Sequence, residues 1–176
     1  MTTTQTTTTT RTTQVYKVYI KATPEAIWEA ITKPEWTERY GYTGLIDVDL
    51  KAGGALKIRS SEEMRRSAEA NGYGVPDLII DGEVLEADAP RKLVTTWRML
   101  MDPTMAEEGF TTLTHEIAEL QGGYCSLTLV HDLTGAPGLA AMVAGGDADP
   151  NQGGGGWPWV LSDLKSLLET GKALAG

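Results

Sequence analysis

The C-terminal segment carries apolar residues at the spacing of one helix face. The positions that follow this spacing are Trp157, Val160, Leu161, Leu164, Leu167 and Leu168. Pro158 suits the first position of such a helix, and Gly171 suits the position just past its end. The pattern predicts a long helix that must cover its large side chains by lying on a sheet.

Upstream of this helix, most of the chain has residue types typical of strands. Residues 15–21 are rich in β-branched and aromatic side chains and predict a first strand. Thr23 and Pro24 then supply an N-cap and a first-turn proline for a helix over 24–32. A second short helix is expected over 34–39. Two helices therefore separate the first strand from the next strands.

The next strands follow each other through short connections. A charged loop over 61–77, with one helical turn around 62–70, is expected to interrupt the series. The strands are predicted at 45–50, 55–59, 78–87, 92–101, 110–120 and 124–133. Short links imply an antiparallel meander. Residues 135–156 are rich in glycine and predict a loop with a short helix at 139–143, either a loose surface connection or a hinged lid.

Alternation along the strands predicts which side chains face the terminal helix. The expected inward-facing set is Leu93, Thr95, Trp97 and Met99 on one strand, Leu113, His115 and Ile117 on the next, and Cys125, Leu127, Leu129 and His131 on the last. Both histidines of the protein are in this set. We expect an apolar pocket with a few polar groups, lined by Trp97, Leu113, His115, Leu129, His131, Trp157 and Leu161. The alternative is that each histidine is a hydrogen-bonded core residue.

Composition and charge restrict the classes of partner. The chain has 176 residues, as expected for one domain, and a formal net charge of −9. This charge argues against binding to nucleic acid or to an anionic membrane surface. The single cysteine, Cys125, cannot form an internal disulfide, which fits a cytoplasmic protein. The sequence contains no apolar run long enough for a transmembrane helix.

The remaining candidate motifs predict no catalytic residue, no metal site and no cofactor. Residues 1–13 are rich in threonine and predict a disordered tail before a single domain at 14–174. The two histidines and Cys125 lack the short spacing typical of zinc ligands. Asp147 and Asp149 begin like a calcium loop, but Pro158 stands where the loop needs glutamate. Cys125 and Ser126 have no base nearby in the sequence.

The predicted order of elements resembles the helix-grip fold of the birch-pollen-allergen and START superfamily (SRPBCC). Three segments carry the resemblance: Ala22–Thr32, the Pro-Arg-x-Leu-x-x-x-Trp pattern of 90–97, and Gly156-Trp157-Pro158. They are most similar to the branch named after the activator of the heat-shock-protein-90 ATPase. The resemblance implies an α+β fold in which a curved antiparallel sheet of about six or seven strands wraps around the C-terminal helix. It also implies a cavity for an apolar small molecule.

Three functions follow as hypotheses. The first is binding of an apolar or amphipathic small molecule, such as a lipid or polyketide, for sequestration, transport or self-protection. The second is a cyclase- or aromatase-type enzyme with His115 or His131 as the acid or base. The third is a co-chaperone-like module that contacts a chaperone partner through its outer surface.

Overall fold

The computed structural model describes residues 12–147, 150 and 154–174, so the expectation of a disordered tail lies outside the described residues for 1–11. Thr13 is the first residue of strand β1 and pairs with Asp132, so the expected tail does not extend to this residue. Seven strands form one antiparallel sheet in the order β1-β7-β6-β5-β4-β3-β2. The strands are β1 (Thr13–Ile20), β2 (Leu45–Val48), β3 (Ala55–Arg59), β4 (Leu78–Asp88), β5 (Lys92–Met99), β6 (Thr111–Leu120) and β7 (Tyr124–Asp132). The helices are α1 (Pro24–Thr32), α2 (Pro34–Thr37), α3 (Glu62–Ala70), α4 (Pro103–Glu107), α5 (Pro137–Ala144) and α6 (Gly156–Thr170). The predicted α+β helix-grip architecture is confirmed.

Burial alternates along the central strands as the sequence predicted. On β5, Leu93, Thr95, Trp97 and Met99 are buried, and the residues between them are half-buried. Pairing of β6 with β7 sets Leu113 opposite His131, His115 opposite Leu129 and Ile117 opposite Leu127. The two histidines therefore lie on the same inner face of the sheet, on adjacent strands.

Helix α6 covers this face with the predicted stripe. Leu161, Leu164 and Leu167 are buried, and Trp157, Val160 and Leu168 are half-buried against the core. Gly171 ends the helix with a φ of +78° and donates its N–H to the carbonyl of Leu167.

The start of α6 differs from the prediction. The helix begins at Gly156, so Pro158 is its third residue and not its first. The physical reason is a distant contact: the hydroxyl of Tyr42 accepts hydrogen bonds from the N–H groups of Gly155 and Gly156, at 2.9 and 3.1 Å. These N–H groups have no partner within a helix, so the tyrosine stabilises an earlier start.

The chain before α6 passes very close to the end of α5. The N–H of Gly146 donates to the carbonyl of Gly154 at 3.0 Å. A Cβ atom on Gly156 would lie 2.3 Å from the carbonyl oxygen of Val143, and one on Gly145 would lie 2.5 Å from the carbonyl oxygen of Gly155. Glycine is therefore required where the two segments meet.

Helices α3 and α4 differ from the sequence prediction. Helix α3 has nine residues where one turn was expected, because Ser61 caps its N-terminus through Met64 N–H at 3.1 Å and Arg66 pairs with Glu62 one turn away at 3.0 Å. Helix α4 was not predicted. Its N-cap is Asp102, whose carboxylate accepts the N–H of Thr104 at 2.7 Å.

The C-terminal half of α6 also contacts the edge strand. The ammonium of Lys165 donates to the carbonyl of Tyr19 at 2.6 Å, and the carboxylate of Glu169 accepts the N–H of Lys21 at 2.8 Å. Lys165 and Glu169 are themselves 2.7 Å apart. This pair fixes the helix to the end of β1.

Asp163 is a buried carboxylate that holds two distant chain segments against α6. One oxygen accepts the N–H of Gly41 at 2.7 Å, and the other accepts the N–H of Leu174 at 2.6 Å. We expect Asp163→Ala to lower the free energy of unfolding by about 1–3 kcal/mol, because the Gly41 N–H loses its partner. Chemical denaturation measures the change. The control, Ser162→Ala, removes an exposed hydroxyl and is expected to cost less than about 0.5 kcal/mol. Equal, small losses would contradict this role of Asp163.

Candidate functional site

His131 lies at the centre of a closed hydrogen-bond network. It is completely buried. Its Nδ1 is 3.1 Å from the indole nitrogen of Trp157, and its Nε2 is 2.8 Å from the hydroxyl of Thr111. An indole N–H can only donate, so Nδ1 accepts and the proton of the neutral ring lies on Nε2. Thr111 accepts that proton and donates its own to the carbonyl of Trp97 at 2.7 Å.

Three aromatic rings surround the same point. The ring centroids of Trp97 and His131 are 5.4 Å apart, and Trp157 lies 5.9 Å from each of them. Contacts of this length between tilted or perpendicular rings are favourable. The cluster fixes the first turn of α6 to β5 and β7, and it brings together three of the residues that the sequence predicted for the site.

His115 differs from His131 in its surroundings. Its Nδ1 is buried and has no hydrogen-bond partner. Its cross-strand neighbours are Leu93 and Leu129, which are 2% and 1% exposed. The inner-face residues two positions away along β6 are Leu113 and Ile117, also buried. An imidazole with a buried, unpartnered nitrogen therefore lies on an apolar face.

Both histidines are neutral at physiological pH. Burial lowers the pKa of His115 to about 4. The pKa of His131 is also lowered to about 4, mainly by burial and in part by the nearby His115, while Asp132 acts in the opposite direction. Removal from water disfavours the charged imidazolium, which is the cause of both shifts.

The other predicted residues lie around these two histidines. Leu113 and Leu129 are the cross-strand partners of His131 and His115, and Leu161 is buried on the face of α6 that covers the sheet. Their place on the inner side is as predicted, and contact with a ligand stays a prediction. Two concave pockets, of about 300 and 410 Å³, lie elsewhere: one between the end of β1 and α6, the other between α1 and β6. Neither is lined by a predicted site residue.

Sequence reasoning missed the polar residues that β1 adds to the inner face. Gln14 lies opposite His131, and Tyr16 lies opposite Leu129. The hydroxyl of Tyr16 donates to the side-chain oxygen of Gln14 at 2.6 Å, and the amide of Gln14 donates to the carbonyl of Ala140 at 2.9 Å. The same two-residue alternation, applied to a strand that starts at Thr13, would have found them.

None of the helices in the described parts of the chain combines the length and the apolar character that crossing a membrane requires.

Solved structures share this fold at low sequence identity. Protein MLL2253 from Mesorhizobium loti is 21% identical, with a TM-score of 0.62 over 89% of this chain and 96% of that one. PFC0360w, an HSP90 activator from Plasmodium falciparum, is 23% identical, with a TM-score of 0.51 over 93% and 91%. CalU16 from Micromonospora echinospora is 17% identical, with a TM-score of 0.53 over 74% of this chain and 66% of that one. This chain thus spans about two thirds of CalU16.

A family model gives a finer assignment than these structures. No curated protein matches the chain. The family model described as "Activator of Hsp90 ATPase homolog 1-like protein" matches residues 21–169. The match includes the strands and helix that carry Trp97, His115, His131 and Trp157. Since it spans most of the sequence, the chain belongs to the Activator of Hsp90 ATPase homolog 1-like family.

Proposed function

We propose that this protein binds an apolar or amphipathic small molecule between α6 and the inner face of the sheet, and that it does so in the cytoplasm without covalent chemistry. The observation that carries the proposal is the bare Nδ1 of His115 on an otherwise apolar face. A buried polar atom without a partner costs about 1–3 kcal/mol. Such atoms are rare in folded proteins, and a ligand that supplies the missing hydrogen bond recovers this cost.

The contrast with His131 supports this assignment. Every hydrogen-bonding atom of the His131 ring is used by Thr111 and Trp157, so His131 organises the fold. His115 has the same apolar setting, but its Nδ1 is buried without a hydrogen-bond partner. Strand alternation places the His115 side chain on the inner face of the sheet, where we propose that a ligand lies.

The low pKa of His115 favours a role in binding over a role in acid–base catalysis. With a pKa of about 4, its ring carries a proton in only about one molecule in a thousand at pH 7. Because the ring is almost never protonated, it cannot act as an effective general acid. Its low pKa also makes it a weak base that removes protons poorly. A hydrogen-bonding role needs only the neutral ring.

The first test is whether Leu129→Trp blocks the binding of a neutral fluorescent probe, N-phenyl-1-naphthylamine. The added ring would occupy the place that we propose for the ligand next to His115, so we expect the affinity for the probe to fall at least tenfold. Probe fluorescence and quenching of tryptophan emission both measure binding. The control, Leu85→Trp, adds the same ring at a position that is 47% exposed, and we expect it to bind the probe like the parent.

Leu161→Phe repeats the test from the helix side with a smaller change, in case Leu129→Trp disturbs the fold. Cooperative unfolding of each variant establishes that it is folded. Unchanged probe binding by both folded variants would contradict an internal site. An outer-surface role, such as contact with a chaperone partner, would then become the leading hypothesis.

A further inference from the structure

We propose that the bound molecule is uncharged and carries a hydroxyl group on an apolar body, and that this hydroxyl donates a hydrogen bond to Nδ1 of His115. This inference rests on the proposed function and specifies the chemical class of the ligand. Three features of the inner face carry it: the distribution of charge, the state of the His115 nitrogen, and the difference between the two histidines.

Charged side chains are absent from the part of the inner face around His115. The described inward positions around His115 hold only apolar, hydroxyl, thiol or imidazole groups. These positions lie within residues 93–99 of β5, 111–117 of β6 and 125–131 of β7. The charged residues of these segments, such as Arg98 and Glu116, alternate with the inward positions and therefore lie on the outer face of the sheet. Helix α5 has no charged residue. A charged ligand would therefore lose its hydration without gaining a counter-ion.

The charges on α6 are already engaged away from His115. Both oxygens of Asp163 accept backbone N–H groups, from Gly41 and Leu174. The ammonium of Lys165 contacts the carbonyl of Tyr19 and the carboxylate of Glu169, at the end of β1. Neither group is placed to neutralise a carboxylate or an ammonium group on a ligand beside His115.

The unpartnered Nδ1 of His115 can accept a hydrogen bond from a donor group on a ligand. A neutral imidazole carries its proton on one nitrogen only. A buried N–H without a partner is rarer in proteins than an empty acceptor. We therefore place the proton on Nε2, which leaves a lone pair on Nδ1. A hydroxyl group can satisfy that lone pair, whereas an ether or a ketone cannot.

The two histidines use the same atom for different purposes. In His131 the Nδ1 lone pair is occupied by the indole N–H of Trp157 at 3.1 Å. In His115 the equivalent lone pair has no protein donor. Leu93 and Leu129, the cross-strand neighbours of His115, are apolar, which suits the apolar body of a ligand. One histidine closes the network, and the other is left to recognise the ligand.

The experiment compares three probes of nearly equal size: 2-naphthol, 2-methoxynaphthalene and 2-naphthoate. Dissociation constants are measured by tryptophan quenching for the parent, for His115→Leu and for Thr114→Val. Thr114 is the adjacent residue on the outer face of β6 and serves as the matched control. We expect the parent and the control to bind 2-naphthol about tenfold more tightly than the ether, as one hydrogen bond allows. 2-Naphthoate should bind most weakly.

In His115→Leu, the preference for naphthol over the ether should disappear while affinity for the ether stays within about twofold. A second readout needs no variant: the ¹⁵N resonance of His115 Nδ1 should shift when naphthol binds and stay in place when the ether binds. The protein has two histidines, so the signals are readily assigned.

The outcomes separate the two proposals. Equal binding of naphthol and the ether by the parent, with no ¹⁵N shift, would overturn the hydroxyl inference and leave an apolar binding site. Tightest binding by naphthoate would overturn the claim that the ligand is uncharged. If no probe binds the parent, the proposed function itself fails, and the inference fails with it.

Discussion

Leu164→Ala is expected to lower the free energy of unfolding by about 2–5 kcal/mol, the usual range when a buried leucine is truncated. Leu164 is 1% exposed and lies in the middle of the stripe of α6. Its removal loses apolar burial and leaves a void that the surrounding core closes only in part. The measurement is chemical denaturation with the slope of the transition checked against the parent.

Leu174→Ala is the matched control for this substitution. The side chain of Leu174 is 57% exposed, although its backbone N–H is bound to Asp163. The same truncation there should cost less than about 0.5 kcal/mol. A loss below about 1 kcal/mol for Leu164→Ala would show that this leucine borders open space, and the packing of α6 on the sheet would need revision.

The second prediction is that the protein loses stability as the pH falls from 7.5 to 5. Each histidine has a pKa of about 4 when folded and about 6.5 when unfolded. The unfolded chain therefore binds protons first, and stability falls as the pH drops through the interval between these values. For the fully buried His131 the loss is about 2 kcal/mol at pH 5 and approaches about 3 kcal/mol below pH 4.

Denaturation between pH 7.5 and 5 measures this loss before most carboxylates begin to titrate. His115→Leu removes one of the two groups and should make the dependence on pH less steep. The ¹⁵N shifts of His131 should report a neutral ring at pH 5. A stability that stays constant over this range would contradict the low pKa values and the sealed network around His131.

Short-range signals made much of the fold predictable. Helix α1 has the predicted bounds because the signals at its start are local: Thr23 caps the N–H of Ala26, three residues away, and Pro24 is the first helical residue. The inward positions of β5, β6 and β7 follow from alternation alone. Helix α4 was also marked locally, by Asp102 and Pro103, but its five residues are too few to show an apolar period.

The partners within the site could not be predicted in the same way. Membership of Trp97, His131 and Trp157 in one cluster follows from the faces of their elements, but the bond from Trp157 to Nδ1 of His131 depends on where α6 begins. That start is set by Tyr42, a residue far away in the sequence with no local pattern to mark it. Likewise, the bare nitrogen of His115 becomes visible only when every neighbour is placed.

The pair formed by Lys165 and Glu169 has a consequence for the behaviour of the protein in a crowded cell. Strand β1 is an edge strand, and exposed edges can recruit strands from other molecules and seed aggregates. Lys165 occupies the carbonyl of Tyr19, and Glu169 occupies the N–H of Lys21, which are groups that an incoming strand would need. The helix that closes the core thus also shields this end of the edge from unwanted self-association.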